Sequence, residues 1–335
     1  MTPFCSQKVV INDSSQVGEA RRMAVSLGRS LGLSDVETGK LGIIATEAAN
    51  NICKHAEKGM LIFRQLQEAG IAGVELLAMD KGPGMADVNK CLRDGYSTAG
   101  TPGHGLGAIT RLSTEWDIWS APSFGTILMT RVWAKPVPRQ MQERLDVGAI
   151  CLPVDGEVAS GDAWAYVSSP VEHRFFLADG LGHGPGASES SEEAVRVFND
   201  HAWESPTMLM NREHNALKKT RGAAIALAQV QFGTRLVRFT GVGNIAGGLC
   251  QNVKLCSFVS HNGTAGAEMR KVQEFEYAWP HGASCILHSD GLGTRWNLNS
   301  LPGLLNHRPS VIAAGLFREF HRERDDVTVL VLRER

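Results

Sequence analysis

An α/β (α+β) chain of two domains is predicted: an α/β sandwich over residues 1–134, a linker at 135–143, and a layered β-sandwich flanked by helices over 144–335. Three observations predict it. The chain has 335 residues, more than a single hydrophobic core usually organises. Before the linker, amphipathic helices alternate with strand-like runs; beyond it, short β-rich runs dominate, interrupted by a few long helical patterns. Between them, Ala134-Lys135-Pro136-Val137-Pro138-Arg139-Gln140 carries two prolines and no periodicity, as a linker does.

Lys8–Asn12 alternates like a short strand. Ser14 or Ser15 can cap a helix to Leu31, with Val17, Ala20, Ala24, Leu27 and Leu31 near helical spacing. Ser34 and Glu37 form a capping-box pair for the next helix. That helix places Leu41, Ile44, Ala45, Ala48 and Ile52 on one face and ends near His55. Strands are expected at Met60–Gln67, Gly73–Met79, Glu115–Ser120 and Thr126–Val132, and helices at Ala86–Arg93 and from Leu106 to Leu112. Asp94–Pro102 is polar and small, as a mobile loop would be. In the second half, strands are expected at Val147–Leu152, Ala163–Ser168, His173–Ala178, Arg235–Thr240, Ala246–Cys250, Ser284–Ser289 and Val327–Leu332. Helices are expected at Ala187–His201, Glu204–Thr220 and Leu304–Phe317.

Lys+Arg 34 against Asp+Glu 35 leaves a net charge of −1. There is no basic excess for nucleic acid and no Lys/Arg-rich run for an anionic membrane. Met1–Val10 lacks a signal-peptide h-region, and the apolar window Ala223–Ala228 is too short to span a bilayer. The seven cysteines contain no C-x-x-C, which suits reduced thiols rather than a disulfide frame or zinc site. A cytoplasmic protein is expected.

The first half carries Glu47-Ala48-Ala49-Asn50-Asn51, then Asp80-Lys81-Gly82-Pro83-Gly84, then Gly103-His104-Gly105-Leu106-Gly107. An acid and an amide four apart share a helix face, so Glu47 and Asn51 can enter one pocket. Glu47 can take a proton from an attacking hydroxyl or water while the Asn51 amide oxygen holds Mg²⁺. Lys54, one turn on, can reach phosphate oxygens. Asp80 at a strand end can accept a hydrogen bond from an adenine amino group, with Gly82 and Gly84 letting backbone approach the base. Gly103, Gly105, Leu106 and Gly107 can offer N–H groups to phosphates at a helix start. Any one of these motifs alone reads as solvated surface or a turn; the ordered set reads as a nucleotide pocket without a Walker loop.

These stretches, with Lys58-Gly59, Asp94-Gly95-Tyr96-Ser97-Thr98 and Gly125-Thr126, resemble the anti-sigma-factor serine kinases, closest to the stressosome switch kinase branch, over residues 7–133. The resemblance implies a GHKL (Bergerat) ATP-binding α/β sandwich acting as a protein-serine kinase on small STAS-domain proteins, with ATP and Mg²⁺ as cofactors. It adds Ser97, Thr98 and Thr126 to the nucleotide site. His104 stands where an apolar residue is commoner, and Thr101-Pro102 replaces a denser glycine run in the lid. A sensor histidine kinase would need a helical hairpin with a phosphoacceptor histidine before this domain, and none is read there.

The second half carries Asp162, Asp179-Gly180, Asp290-Gly291 and Asp325-Asp326 at predicted strand edges. One Asp-Gly is a turn signal; four acidic sites at strand edges suit two-metal phosphoester hydrolysis, which needs converging carboxylates around ions about 3.5–4 Å apart. With Ser160-Gly161, Leu181-Gly182-His183-Gly184, Gly222-Ala223-Ala224, Gly241-Val242-Gly243-Asn244 and Val327-Thr328, these residues resemble the PPM metal-dependent phosphatases over 145–333. The bacterial branch that dephosphorylates STAS-domain regulators, the sporulation stage II E-like proteins, is closest. The resemblance implies a PPM-type αββα sandwich with two Mn²⁺ or Mg²⁺ ions. It makes Asp179, Asp290 and Asp325 principal ligands, Gly180 a carbonyl ligand and Asp162 a completing one. Asp326 belongs to the expected metal ligands as well, standing where many relatives have Asn. Animal members place a histidine directly after Asp-Gly, where this chain has Leu181; His183 is either the general acid or a loop histidine.

The combined reading is a bifunctional serine kinase and serine/threonine phosphatase acting on STAS-domain anti-anti-sigma or stressosome proteins, with a sigma-pathway regulator as a further partner. Two other readings stand beside it. One is an anti-sigma or partner-binding module whose affinity ATP tunes. The other is a nucleotide-gated phosphatase without kinase activity.

Overall fold

The computed structural model describes residues 6–56, 58–92, 105–139, 142, 144–293 and 295–335. They form two compact units. One contains Ser6–Arg144 together with Leu298–Arg318; the other contains Leu145–Asn297 together with Glu319–Arg335. The sequence predicted two uninterrupted segments meeting at the linker. The difference is the strip Leu298–Arg318, whose polar side chains pair inside the first unit.

In that first unit, β1 (Gln7–Ile11) precedes α1 (Ser15–Ser30) and α2 (Asp35–His55). The strands β2 (Gly59–Glu68) and β3 (Ile71–Asp80) follow, then the short α3 (Val88–Cys91), α4 (Gly105–Leu112), β4 (Glu115–Ala121) and β5 (Gly125–Trp133). The strands make one antiparallel sheet in the order β1-β2-β3-β5-β4. Ser34 caps α2 by accepting from the Glu37 N–H, as the capping-box spacing predicts. The predicted apolar face of α2 is buried: Leu41, Ile44, Ala45, Ala48 and Ile52 join Leu61, Phe63, Val74 and Leu76 of the sheet in one core.

The opposite sheet face would be wet in a two-layer sandwich. Here its outward residues Glu75, Asp117, Trp119 and Arg131 meet the strip Leu298–Arg318. Glu75 is fully buried and accepts from Arg64 Nη2 at 2.8 Å, Arg131 Nε at 2.7 Å and Ser310 Oγ at 2.7 Å. Asp117 accepts from the Arg308 N–H at 2.6 Å and lies 2.9 Å from His307 Nδ1. Such buried charges are tolerable because their lone pairs and protons are hydrogen-bonded.

The second unit begins with β6 (Leu145–Leu152), β7 (Asp162–Ser168) and β8 (Glu172–Gly180), then α5 (Pro185–His201) and α6 (Pro206–Leu217). There follow β9 (Ala223–Gln231), β10 (Leu236–Val242), β11 (Ala246–Gln251), β12 (Lys254–Ser257), β13 (Phe275–Ala278) and β14 (Ser284–His288). Helix α7 (Pro309–Phe320) belongs to the first unit as far as Arg318, and β15 (Val327–Glu334) is the last strand of the second. Two five-stranded antiparallel sheets, β13-β10-β9-β8-β7 and β12-β11-β14-β15-β6, form the sandwich. Alternation along β8 explains its layers. Phe175 and Leu177 enter the core between the sheets with Leu287 and Leu330; Phe176 and Ala178 pack against Val195 and Phe198 of α5 and Leu209 of α6. Among the described residues no helix is long and apolar enough to cross a membrane.

Candidate functional site

In the first unit, α2 presents Glu47 and Asn51 one turn apart, both half-buried, and Lys54 beyond them exposed. Helix α4 begins at Gly105. A Cβ built there would lie 3.0 Å from Glu47 Oε2 and 3.4 Å from Asn51 Oδ1, so the start of α4, Gly105-Leu106-Gly107, comes directly to the acid and the amide. A side chain at this position would crowd that approach, and the first N–H groups of α4 have no partner in the preceding turn of their own helix. Asp80 ends β3. Its Oδ1 accepts from the Gly82 N–H at 2.8 Å and the Thr126 N–H at 3.2 Å, which fixes the carboxylate at the mouth of the Asp80–Gly84 turn. Burial pushes the Asp80 carboxyl up, while those two amides and the Arg318 and His55 charges pull it back. Gly82 lies against the end of α2: a Cβ there would be 2.9 Å from the His55 carbonyl oxygen. Glu47, Asn51, Asp80, Gly82, Gly84, Gly105, Leu106, Gly107 and Thr126 therefore occupy the elements the motif order predicts. Ser97, Thr98, Gly103 and His104 lie outside the described residues.

In the second unit, Asp162 and Asp179 are direct partners in the β7–β8 ladder. Residues opposite in an antiparallel pair point to the same face, and like charges there repel. Asp162 Oδ2 accepts from Ser289 Oγ at 2.6 Å, while among the described residues the buried Oδ1 finds no hydrogen-bond partner. Asp179, Asp290 and Asp325 line one cleft of about 460 Å³ with Asn244, Asn262 and Thr264. Asn244 Nδ2 donates to Asp290 Oδ2 at 2.7 Å. Burial pushes the Asp179 carboxyl up to about 9 and that of Asp162 to about 7, with the neighbouring carboxylates adding to both. Asp325 is also raised, first by burial and then by Asp290.

Among the described residues no three His, Cys, Asp or Glu side chains are drawn together at ion-holding distances. The donor set nevertheless fits hard divalent cations: it is all carboxylate and amide oxygen, and Asp162 Oδ1 is, among the described residues, an orphaned buried acceptor. Asp326 differs from the others. Its Oδ1 accepts from the Val154 N–H at 2.8 Å and its Oδ2 from the Gly161 N–H at 2.7 Å, so it ties the loop before β7 to the start of β15. The Gly180 N–H donates to the Gly161 carbonyl at 2.9 Å, which aligns Asp179-Gly180 with Asp162. At Gly291 a Cβ would stand 1.9 Å from the Asp326 carbonyl oxygen, so the two acidic loops touch through backbone. His183 is exposed and lies 2.9 Å from Glu157 Oε1. Asn262 and Thr264 were not singled out in the sequence, and no motif marks them; Asn244 sits inside a stretch that the resemblance quotes, and Ser289 ends an expected strand.

Fold and residue sets together define a histidine kinase-like ATPase domain followed by a phosphatase-type sandwich. Residues 10–131 match the histidine kinase-like ATPase domain, and residues 170–335 match the stage II sporulation protein E (SpoIIE) family. Within the first of these, the chain belongs to the family of the serine/threonine-protein kinase RsbT of Bacillus subtilis (strain 168). It is 32% identical to that protein over 116 residues, 35% of this chain and 87% of the relative. It is also 26% identical over 150 residues, 41% of this chain and 70% of the relative, to the phosphoserine phosphatase RsbX of the same organism. A solved chain described under "The bacterial stressosome: a modular system that has been adapted to control secondary messenger signaling" matches with a TM-score of 0.53 at 25% identity. That match covers 57% of this chain and 100% of the other. The sequence expectation of a GHKL-type kinase domain fused to a PPM-type phosphatase domain is thereby met.

Proposed function

We propose that this chain is a bifunctional switch: an ATP-dependent protein-serine kinase and a metal-dependent protein-serine/threonine phosphatase, both directed at STAS-domain regulators in a bacterial partner-switching or stress-response pathway. The observation that carries the reading is the Asp162–Asp179 pair in register on β7 and β8, on a chain whose other unit sets Glu47 and Asn51 against the start of α4. Relatedness to both RsbT and RsbX supports it.

In the kinase unit, Asp80 accepts from the adenine amino group, and Gly105, Leu106 and Gly107 direct N–H groups at the phosphates. Asn51 and Lys54 stand on the phosphate side, Asn51 as the Mg²⁺ ligand. Glu47 removes the proton from the attacking serine hydroxyl, so the new phosphoester bond forms as the bond between the β- and γ-phosphates breaks. In the phosphatase unit, Asp179 with Asp162, Asp290, Asp325 and the Gly180 carbonyl would hold Mn²⁺ or Mg²⁺. Such ions supply hydroxide near neutral pH and neutralise charge on the phosphoryl oxygens. Asp326 holds the Val154 and Gly161 amides and so orients the loop that delivers Asp162. Ser289 orients Asp162, and Asn244 orients Asp290.

Incubation with ATP labelled at the γ-phosphate and a panel of STAS proteins tests the proposal. Label should appear on serine of at least one, and should be released when Mn²⁺ is supplied. Release from a pre-phosphorylated substrate without any labelling would leave only the phosphatase half.

A further inference from the structure

The strip Leu298–Arg318 reaches the nucleotide end of the first unit through one side chain. Arg318 is buried to 5% exposure. Its Nη1 donates to the main-chain carbonyl of Asp80 at 2.6 Å. On its β5 side the β3 ladder stops at Met79 paired with Ile127, while Asp80 still pairs with Gly59 on β2, and Arg318 supplies a donor to the Asp80 carbonyl. The guanidinium lies over the Trp119 ring, 5.2 Å from its centre. The Trp119 indole N–H donates in turn to the Pro302 carbonyl at 2.9 Å. This cation–π contact favours arginine's delocalised, planar guanidinium over the compact ammonium of lysine.

Asp80 is thus held from two sides. Its carboxylate takes the Gly82 and Thr126 amides and its carbonyl takes Arg318. Its burial favours the neutral acid, whereas accepting from an amino group needs the carboxylate; the nearby Arg318 and His55 charges favour that form. The ATPase-domain match ends at residue 131, so nothing within it accounts for Arg318.

We infer that Arg318, supplied by the C-terminal half of the chain, is a positioning residue for adenine recognition, holding Asp80 in place so that its carboxylate accepts from the base. This rests on the proposal that Asp80 meets the base. It makes the nucleotide site incomplete without residues 298–318.

The experiment compares full-length wild type, Arg318→Ala, Arg318→Lys, Asp80→Asn and Arg308→Ala for Mg·ATP and Mg·GTP affinity by calorimetry, and for thermal melting. Arg308, in the same strip, sets its guanidinium on Glu115 and its main-chain N–H on Asp117, both on β4, and serves as the structural control. Arg318→Ala should weaken Mg·ATP binding by about tenfold, the scale of one charge-assisted hydrogen bond, and shrink the ATP-over-GTP preference. Arg318→Lys should recover part of the affinity, retaining the charge without the stacked fork, and it carries the test if the alanine variant does not fold. Arg308→Ala should lower the melting temperature and keep the preference intact. Wild-type affinity and preference in both Arg318 variants, alongside their loss in Asp80→Asn, would overturn the role of Arg318 and leave the nucleotide site standing. Loss that merely follows melting temperature, equally in the Arg318 and Arg308 variants, would also overturn it. Unchanged ATP binding in Asp80→Asn would remove the site at Asp80, and the inference with it.

Discussion

Asp162 and Asp179 stand opposite one another on neighbouring strands, with their carboxylates on one face of the sheet. Burial raises both groups, and each is further raised by the carboxylates around it. A sandwich that places like charges in register at the end of two neighbouring strands loses stability unless something positive offsets them. Added Mn²⁺ should therefore raise the melting temperature of the wild-type protein in a concentration-dependent way, as any ligand of the folded state does. Asp179→Ala should remove most of that rise and all phosphatase turnover, and a chelator should do the same to the wild type. An Mn²⁺-dependent rise of equal size in the variant would place the ion elsewhere.

Glu47 and Asn51 share one helix face but have different tasks. Glu47→Ala should reduce phosphoryl transfer by at least about a hundredfold, the usual contribution of a positioned base, with Mg·ATP affinity close to wild type. Asn51→Ala should instead weaken Mg·ATP binding itself. Transfer assays and calorimetry on the same two proteins separate the roles. Calorimetry that finds Asn51→Ala binding Mg·ATP as tightly as wild type would exclude Asn51 as the metal ligand.

Glu75 tests the polar strip beneath the sheet. Burial pushes its carboxyl up, but Arg64 and Arg131, with the Ser310 hydroxyl, pull it further down, so it is held below its ordinary 4.5. A carboxylate depressed in the folded state contributes stability that is complete above the unfolded value and lost as pH falls through the folded one. The wild type should therefore lose stability below pH 4.5 more steeply than Glu75→Gln. At neutral pH Glu75→Gln should cost about 3–5 kcal/mol, because it breaks a buried ion-pair network by removing its central carboxylate. Denaturant melts at pH 7 and pH 4 measure both effects; a pH-independent difference would mean that Glu75 is not ionised in the folded protein.

What the sequence disclosed and what it withheld divide along the range of the interactions. The Ser34–Glu37 cap, the apolar face of α2 and the Asp-Gly strand ends are local patterns, and each stands where it was expected. Strand β9 was not read. Ala223–Gln231 is central in its sheet and almost wholly buried, so it lacks the alternation that marks a half-exposed strand. The helix expected over Leu304–Phe317 is broken, with a short 3₁₀ turn at Leu304–Asn306 and α7 starting at Pro309, because proline suits the first turn of a helix and not its interior. The membership of 298–318 in the first unit rests on pairs such as Glu75–Ser310, 235 positions apart. No periodicity or spacing encodes a contact of that range.

The opposed chemistries make a steady state the sharpest test of a shared substrate. With one STAS protein, ATP and Mn²⁺, the wild type should hold the substrate partly phosphorylated while consuming ATP continuously. Removing Asp179 disables the acidic cleft and leaves Glu47, Asn51 and Asp80 untouched, so Asp179→Ala should drive the substrate to full phosphorylation and ATP consumption should then stop. Glu47→Ala should leave a pre-phosphorylated substrate fully dephosphorylated. The phosphorylated fraction read by intact-protein mass spectrometry distinguishes the cases. An unchanged fraction in Asp179→Ala would mean that the two units do not oppose each other on that protein, and the kinase and phosphatase would then serve separate partners.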